Sequence, residues 1–229
     1  YYIPDIVWQK NSNNLYFVTL NRKQNNWNLY KYDFTTNRGD LVLNDSNDSW
    51  VDKKSFFTPS NDGSWASRGG FSFAIMENGE LIWISEKDGF KHIYRNRLDG
   101  RPINQITRGE WEVNSINAID TNNGIIYFSA KKETETENHL YSIRFNGSRL
   151  KRITKEKGSH SSAFSPTLNY FINNYSSFTT PPKTFVKDKN GKIVRLLKET
   201  DKSKFDQYGL TYPQLINIFT DDGTRLNAL

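Results

Sequence analysis

One pattern in this chain recurs at a fixed spacing, and it limits the fold more than any composition figure does. Leu81-Ile-Trp-Ile-Ser85, His92-Ile-Tyr94, Asp99-Gly100 and Ile106-Thr107 reappear as Ile125-Ile-Tyr-Phe-Ser129, His139-Leu-Tyr141, Asn146-Gly147 and Ile153-Thr154. His92 to His139 and Thr107 to Thr154 are both 47 positions apart (139 − 92 and 154 − 107). Within each unit, short apolar runs are cut by Asn, Asp and Gly, which is the grammar of strands joined by hairpin turns. The Asn-Gly and Asp-Gly steps at 99–100, 146–147, 190–191 and 222–223 supply the turns.

Looser copies flank the two clear ones. One runs from Leu15 through Asn28-Leu-Tyr30 to Leu41-Val-Leu43, and another from Tyr170 through Thr184-Phe-Val186 and Asn190-Gly191 to Leu197. Each unit is preceded by a further strand: Pro4–Trp8, a segment near Phe56 or Phe71, Trp111–Ile119, and His160–Ser165. Four strands per unit at about 45 residues is the arithmetic of a β-propeller blade. A single four-stranded sheet cannot cover both its apolar faces, so blades have to stack. The expected fold is all-β, an arc of about four four-stranded blades over 1–213. The blades fall near 4–43, 50–107, 111–154 and 160–197, with a connecting hairpin at 214–229. Gly70-Phe-Ser-Phe-Ala74 reads as a strand, because Phe71, Phe73 and Ile75 alternate. Only Leu196 to Tyr208 offers a short helix.

Composition narrows the function. Hydrophobic residues make up 35% and aromatics 14%, with 12 Tyr, 15 Phe and 6 Trp against one Met, a balance that suits pleated surfaces. No run approaches the roughly 18–20 apolar residues of a membrane span. YYIPDIVW has neither a basic nor an apolar leader region, and the chain reads as a mature piece or a fragment. The net charge is +6, but the densest basic cluster (Arg149, Lys151, Arg152, Lys155, Lys157) reads as a solvated edge rather than a nucleic-acid stripe. Zero Cys removes disulfides, thiol nucleophiles and zinc knuckles, and fits a periplasmic or extracellular setting.

Few residues suggest chemistry. The 70–74 stretch lacks the last Gly of a serine-hydrolase elbow, G-x-S-x-G. His92 and His139 stand at equivalent repeat positions and read as architecture; no paired Asp/Glu or H-E-x-x-H set has metal spacing. Glu133, Glu135 and Glu137 read as a solvated loop, and Asn146-Gly-Ser148 and Asn174-Tyr-Ser176 match the glycosylation sequon. Glu110 and Glu112, two apart on an expected strand, would share one face, with Trp111 and Val113 on the other.

The order of motifs resembles the N-terminal propeller of the dipeptidyl peptidase IV family of prolyl-oligopeptidase-type serine peptidases. The resemblance rests on Tyr2-Ile-Pro4, Trp8, Leu20-Asn-Arg-Lys-Gln-Asn25, Trp50-Val-Asp52 and Ser85-Glu-Lys-Asp-Gly-Phe-Lys-His-Ile-Tyr94. It continues through Thr107-Arg-Gly-Glu-Trp-Glu-Val113, His139-Leu-Tyr141, Ile153-Thr154, Tyr175-Ser176 and Pro181-Pro182. It implies the later half of an eight-bladed propeller, with 214–229 leading into an α/β-hydrolase domain that is absent from these residues. It further implies release of X-Pro or X-Ala dipeptides by a Ser-His-Asp triad, without a cofactor, on a peptide substrate. The triad and the Glu pair that holds the substrate amine would both lie outside this chain, so Glu110 and Glu112 are not that pair and no catalytic residue is expected here. Implied partners are the hydrolase domain and a second copy in a homodimer. The family offers an aromatic and an Arg just after Trp-Val; here Trp50, Lys53, Lys54 and Phe56 occupy that region, without the Arg. Rival readings are a free-standing propeller-type module that binds peptide or protein, and a noncatalytic family member.

Overall fold

The structure, a computed structural model, describes residues 1–9, 12–52, 66–201, 203, 207–209 and 211–228. Four antiparallel blades follow one another along the chain. The first comprises β1 (Tyr2–Trp8), β2 (Asn14–Leu20), β3 (Asn26–Asp33) and β4 (Arg38–Ser46), paired in sequence order. After β5 (Ala66–Phe71) comes the second: β6 (Phe73–Ile75), β7 (Glu80–Ser85), β8 (His92–Arg97) and β9 (Pro102–Gln105). The third holds β10 (Val113–Asp120), β11 (Ile125–Ala130), β12 (His139–Arg144) and β13 (Lys151–Arg152), with β5 paired to β10 as a fifth strand. The fourth holds β14 (Ser159–Phe164), β15 (Tyr170–Ser177), β16 (Thr180–Asp188) and β17 (Ile193–Glu199); a hairpin of β18 (Ile216–Phe219) and β19 (Arg225–Ala228) follows.

The cores lie between blades, not inside them. Tyr16, Trp27 and Leu29 of the first blade pack with Phe73, Trp83 and Tyr94 of the second. Ile82, Ile84 and Ile93 of the second meet Ile116, Phe128 and Tyr141 of the third. Ala118, Tyr127 and Leu140 of the third meet Phe164 and Phe171 of the fourth. Strands β7 and β11 have a neighbour on each face, so nearly every side chain is buried and the inside–outside alternation disappears. Strand β17 has no such neighbour and is exposed throughout, Ile193, Val194, Leu196 and Leu197 included.

Turn glycines set how closely blades approach. The amides of Gly100, Gly147 and Gly191 donate to the carbonyls of Arg97, Arg144 and Asp188, closing the same turn in three blades. Their φ angles of 85°, 81° and 91° lie in the left-handed region that Gly adopts without a Cβ clash. A Cβ there would sit 2.3, 2.9 and 2.4 Å from the carbonyl oxygens of Val42, Ile106 and Ile153, each on the preceding blade. The Asx-Gly steps therefore act as spacers between blades as well as hairpin turns.

Three local expectations change. The 70–74 stretch is not one strand: Phe71 pairs with Ile116 on the third blade, while Phe73 pairs with Trp83 on the second. The chain switches sheets at Ser72, where Gly70 (φ 77°) leaves room for the Ser115 side chain, which would lie 2.4 Å from an added Cβ. The third blade's inner strand starts at Val113, so Glu110 and Glu112 lie on an exposed bend and share no strand face. Gly109, with φ 124°, makes that bend, and Trp111 folds back over it. The helix expected over Leu196 to Tyr208 is replaced at its start by β17, in which Leu196 pairs with Phe185 of β16. A free sheet edge offers hydrogen-bond partners that a marginal short helix cannot match.

Candidate functional site

Three of the motifs, Asn21–Asn25, Trp50–Asp52 and Ser85–Lys91, meet at one end of the first two blades. Asn21 to Asn25 forms a tight turn, with the Gln24 amide donating to the Asn21 carbonyl (3.0 Å). The Asn21 side chain accepts from the amides of Asn25 and Asn26 at 3.0 and 3.1 Å, which fixes the turn. That turn holds the chain leaving β4. The Val51 amide donates to the Gln24 carbonyl (2.9 Å), and the Trp50 indole N–H donates to Gln24 Oε1 (3.2 Å). Val51 is buried in the core between the first two blades, whereas Trp50 stays half exposed. Val51 thus anchors the segment while Trp50 is presented.

Trp50 forms part of the wall of a cavity of about 240 Å³, whose charged lining includes Asp45, Asp52, Glu86, Lys87 and Lys91. Asp45 is buried and accepts from the Ser85 hydroxyl at 2.9 Å. Burial opposes the charge of Lys91, but pairing with Asp52 and with Glu86 at 3.4 Å outweighs it and raises its pKa. Burial pushes the Lys87 pKa down, with Asp45 and Asp88 opposing. Its ammonium sits 3.9 Å from the centre of the Tyr94 ring and 5.3 Å from that of Trp83. A half-buried ammonium on aromatic faces, beside carboxylates, can engage a polar group entering from solvent.

Of the expected site residues, Trp50 lines this cavity; Lys53, Lys54 and Phe56 fall outside the described residues. Sequence reasoning passed over Asp45, Lys87 and Lys91 as site residues. The signal for two of them was present, since Lys87 and Lys91 belong to the Ser85–Tyr94 motif. A second groove, of about 520 Å³, lies at the third and fourth blades and is lined by Glu137, Lys157, Tyr175 and Phe178 among others.

The three alternating glutamates each have a partner. Glu133 accepts from the Tyr141 hydroxyl (3.3 Å), Glu135 from Asn227 on β19 (3.1 Å), and Glu137 lies 2.8 Å from His139 Nε2. Glu135 thus gives the last hairpin one exposed hydrogen bond to the third blade. His92 and His139 are both buried, with Nδ1 facing Thr107 and Thr154 Oγ1 at 3.0 and 3.2 Å. Those hydroxyl oxygens also accept the amides of Ile93 and Leu140, at 2.9 and 3.0 Å. The repeated His and Thr form a structural latch. Among the described residues no group of three or more His, Cys, Asp or Glu is placed to hold a metal ion.

Four-stranded blades with cores between them, and a cavity among their loops, define a β-propeller-type fold. The model of the family described as "Dipeptidyl peptidase IV (DPP IV) N-terminal region" matches residues 1–182, and the chain belongs to that family. The chain is 24% identical over 237 residues to dipeptidyl peptidase 4 of Arthroderma otae, covering 99% of this chain and 29% of that protein. It is 34% identical over 150 residues to a probable dipeptidyl-aminopeptidase B of Emericella nidulans, over 62% of this chain and 16% of that protein. The crystal structure of Porphyromonas gingivalis dipeptidyl peptidase 4 aligns with a TM-score of 0.81 and 28% identity, over 99% of this chain and 30% of that one. The chain thus spans less than a third of these proteins' length. Among the described residues no helix is long and apolar enough to cross a membrane.

Proposed function

We propose that this chain is the non-catalytic propeller segment of a dipeptidyl peptidase IV-like serine peptidase that removes X-Pro or X-Ala dipeptides from peptide N-termini. The observation that carries this reading is the match of nearly the whole chain to one portion of P. gingivalis dipeptidyl peptidase 4, in sequence and in fold. The chemistry, acyl transfer through a Ser-His-Asp triad, belongs to a hydrolase domain outside these residues. The blades limit access to that domain, and Trp50 gives the incoming peptide an apolar face beside the charged cavity. Among the described residues, Lys87 and Lys91 share the cavity with Trp50 and supply its positive charge. The longer protein works in the periplasm or outside the cell.

The test is release of p-nitroaniline from Gly-Pro-p-nitroanilide. The purified chain gives none above background, and the longer polypeptide that carries it turns the substrate over. Turnover by the chain alone, or an inactive longer polypeptide with correctly folded domains, would overturn the reading; the second outcome would favour a binding module. Trp50→Ala in the longer polypeptide raises KM for peptide substrates about tenfold, close to 1.4 kcal/mol, with kcat little changed.

A further inference from the structure

The joint between the third and fourth blades carries two buried imidazoles in contact. His139 of β12 and His160 of β14 are 0% and 1% exposed, with ring centres 5.2 Å apart. His160 also stacks on Tyr175 of β15 at 4.9 Å. Backbone ties run through the same place. The His160 amide donates to the Asn138 carbonyl, and the Asn138 side chain donates to the His160 carbonyl, both at 2.8 Å.

The groups facing the pair come from every neighbouring element. Glu137 meets Nε2 of His139 at 2.8 Å, and Thr154 meets its Nδ1. Nε2 of His160 donates to the Glu156 carbonyl (2.8 Å), and its Nδ1 faces Asn173 Oδ1 (3.2 Å). The Glu156 carboxylate is held by Lys187 of β16, both oxygens at 3.0 Å from Nζ, and Tyr175 donates to the Lys157 carbonyl. Glu137 is thus the one carboxylate directly on the pair, and it serves His139. The Glu156 carboxylate is already taken by Lys187.

We propose that the tilted His139–His160 contact makes the joint between the third and fourth blades acid-sensitive, closed while His160 is neutral and loosened as it takes up a proton. Two imidazolium rings at this separation, out of water, repel each other, and only one has a carboxylate partner. Burial holds the His160 pKa below its ordinary value, and His139 adds to that, against the Glu156 and Asn173 hydrogen bonds. An unfolded chain therefore binds this proton more readily. The stabilisation is complete above the ordinary histidine value of 6.5 and is lost as pH falls below it. Because Tyr175 and Glu137 line the groove at this joint, loosening reshapes that groove.

The test follows the Cε1–H resonances of the three histidines in the chain by NMR from about pH 8 to about pH 5, together with amide exchange corrected for its intrinsic rate. His160 should titrate below 6.5, and amides of β14 and β15 should exchange about tenfold faster at the acid end while β7 and β8 keep their rates. His160→Gln should abolish the acid response. His139→Gln, which leaves the His160 hydrogen bonds in place, should move the His160 titration towards its ordinary value and shrink the response, and it decides the matter if His160→Gln does not fold. Titration of His160 at or above 6.5, equal loosening of the second blade, or an unchanged response in either variant overturns the proposal.

Discussion

The His92 and His139 joints share a His–Thr frame and differ in two neighbours. Nε2 faces the Gly109 carbonyl at 2.9 Å in one and the Glu137 carboxylate at 2.8 Å in the other, and the ring in contact differs. Each histidine faces a Thr fifteen residues later, whose hydroxyl oxygen also takes a strand amide. Each is preceded by a residue (Lys91 or Asn138) whose carbonyl accepts the first ladder amide of the next blade at 2.8 Å. That amide belongs to Val113 in one case and His160 in the other. Beside His92 the ring in contact is Trp111, edge-on at 5.1 Å; beside His139 it is His160. The ring added beside His92 is an indole, which carries no titrating proton, and the ring added beside His139 is a second imidazole. Repetition fixes the His–Thr frame of a joint, while the non-repeated groups on the ring, Trp111 and the Gly109 carbonyl in one and His160 and Glu137 in the other, give each joint its own chemistry.

The largest test of this comparison is truncation of a core ring on each side. Phe128→Ala, between the second and third blades, should cost about 4 kcal/mol in urea unfolding, and Phe171→Ala, next to the exposed fourth blade, about 3. The order should reverse if the fourth-blade joint is the tighter one. Next come the spacers. Gly191→Ala puts a Cβ 2.4 Å from the Ile153 carbonyl oxygen and should cost about 3 kcal/mol; Gly147→Ala, with 2.9 Å available, should cost about 2. Gly79→Ala shares a positive φ but has open space around it, and should cost only about 1 kcal/mol in the same urea unfolding. Thr107→Val and Thr154→Val should each lose about 1.5 kcal/mol, measured by chemical denaturation, because the latch is the same in both joints. A gap of more than about 1 kcal/mol between them would break the equivalence. The smallest effect is expected at the ion pair of Arg95 with Glu80, 2.7–2.8 Å and partly buried, where Glu80→Gln should cost about 0.5–1 kcal/mol and less in high salt.

The sequence made the repeat legible because blade geometry depends on a few residues at set intervals. The His-Thr spacing and the Asx-Gly turns are local features, and the 47-residue offset exposes them. The all-β class and the family followed from the same positions. What was not legible depends on partners distant in the chain. The switch at Ser72 needs β10 in place to receive Phe71, and the helical look of Leu196-Leu197 loses to the open edge of β16. Of the site, Trp50 was legible from its motif, but the cavity was not. Asp45 and Lys87 meet there because two blades pack, and no spacing along one strand shows that. The Glu110/Glu112 spacing was informative about family and misleading about geometry, since the Gly109 bend delays the strand to Val113.

If the cores lie between blades, protection from exchange should track the number of neighbouring blades rather than the strand's place within its own sheet. Native-state hydrogen exchange of the whole chain at neutral pH measures this directly. Amides of β7, β8, β11 and β12, buried on both faces, should exchange slowest, while those of β17 and of the β18–β19 hairpin should exchange fastest. Equal protection of β17 and β11 would contradict the account.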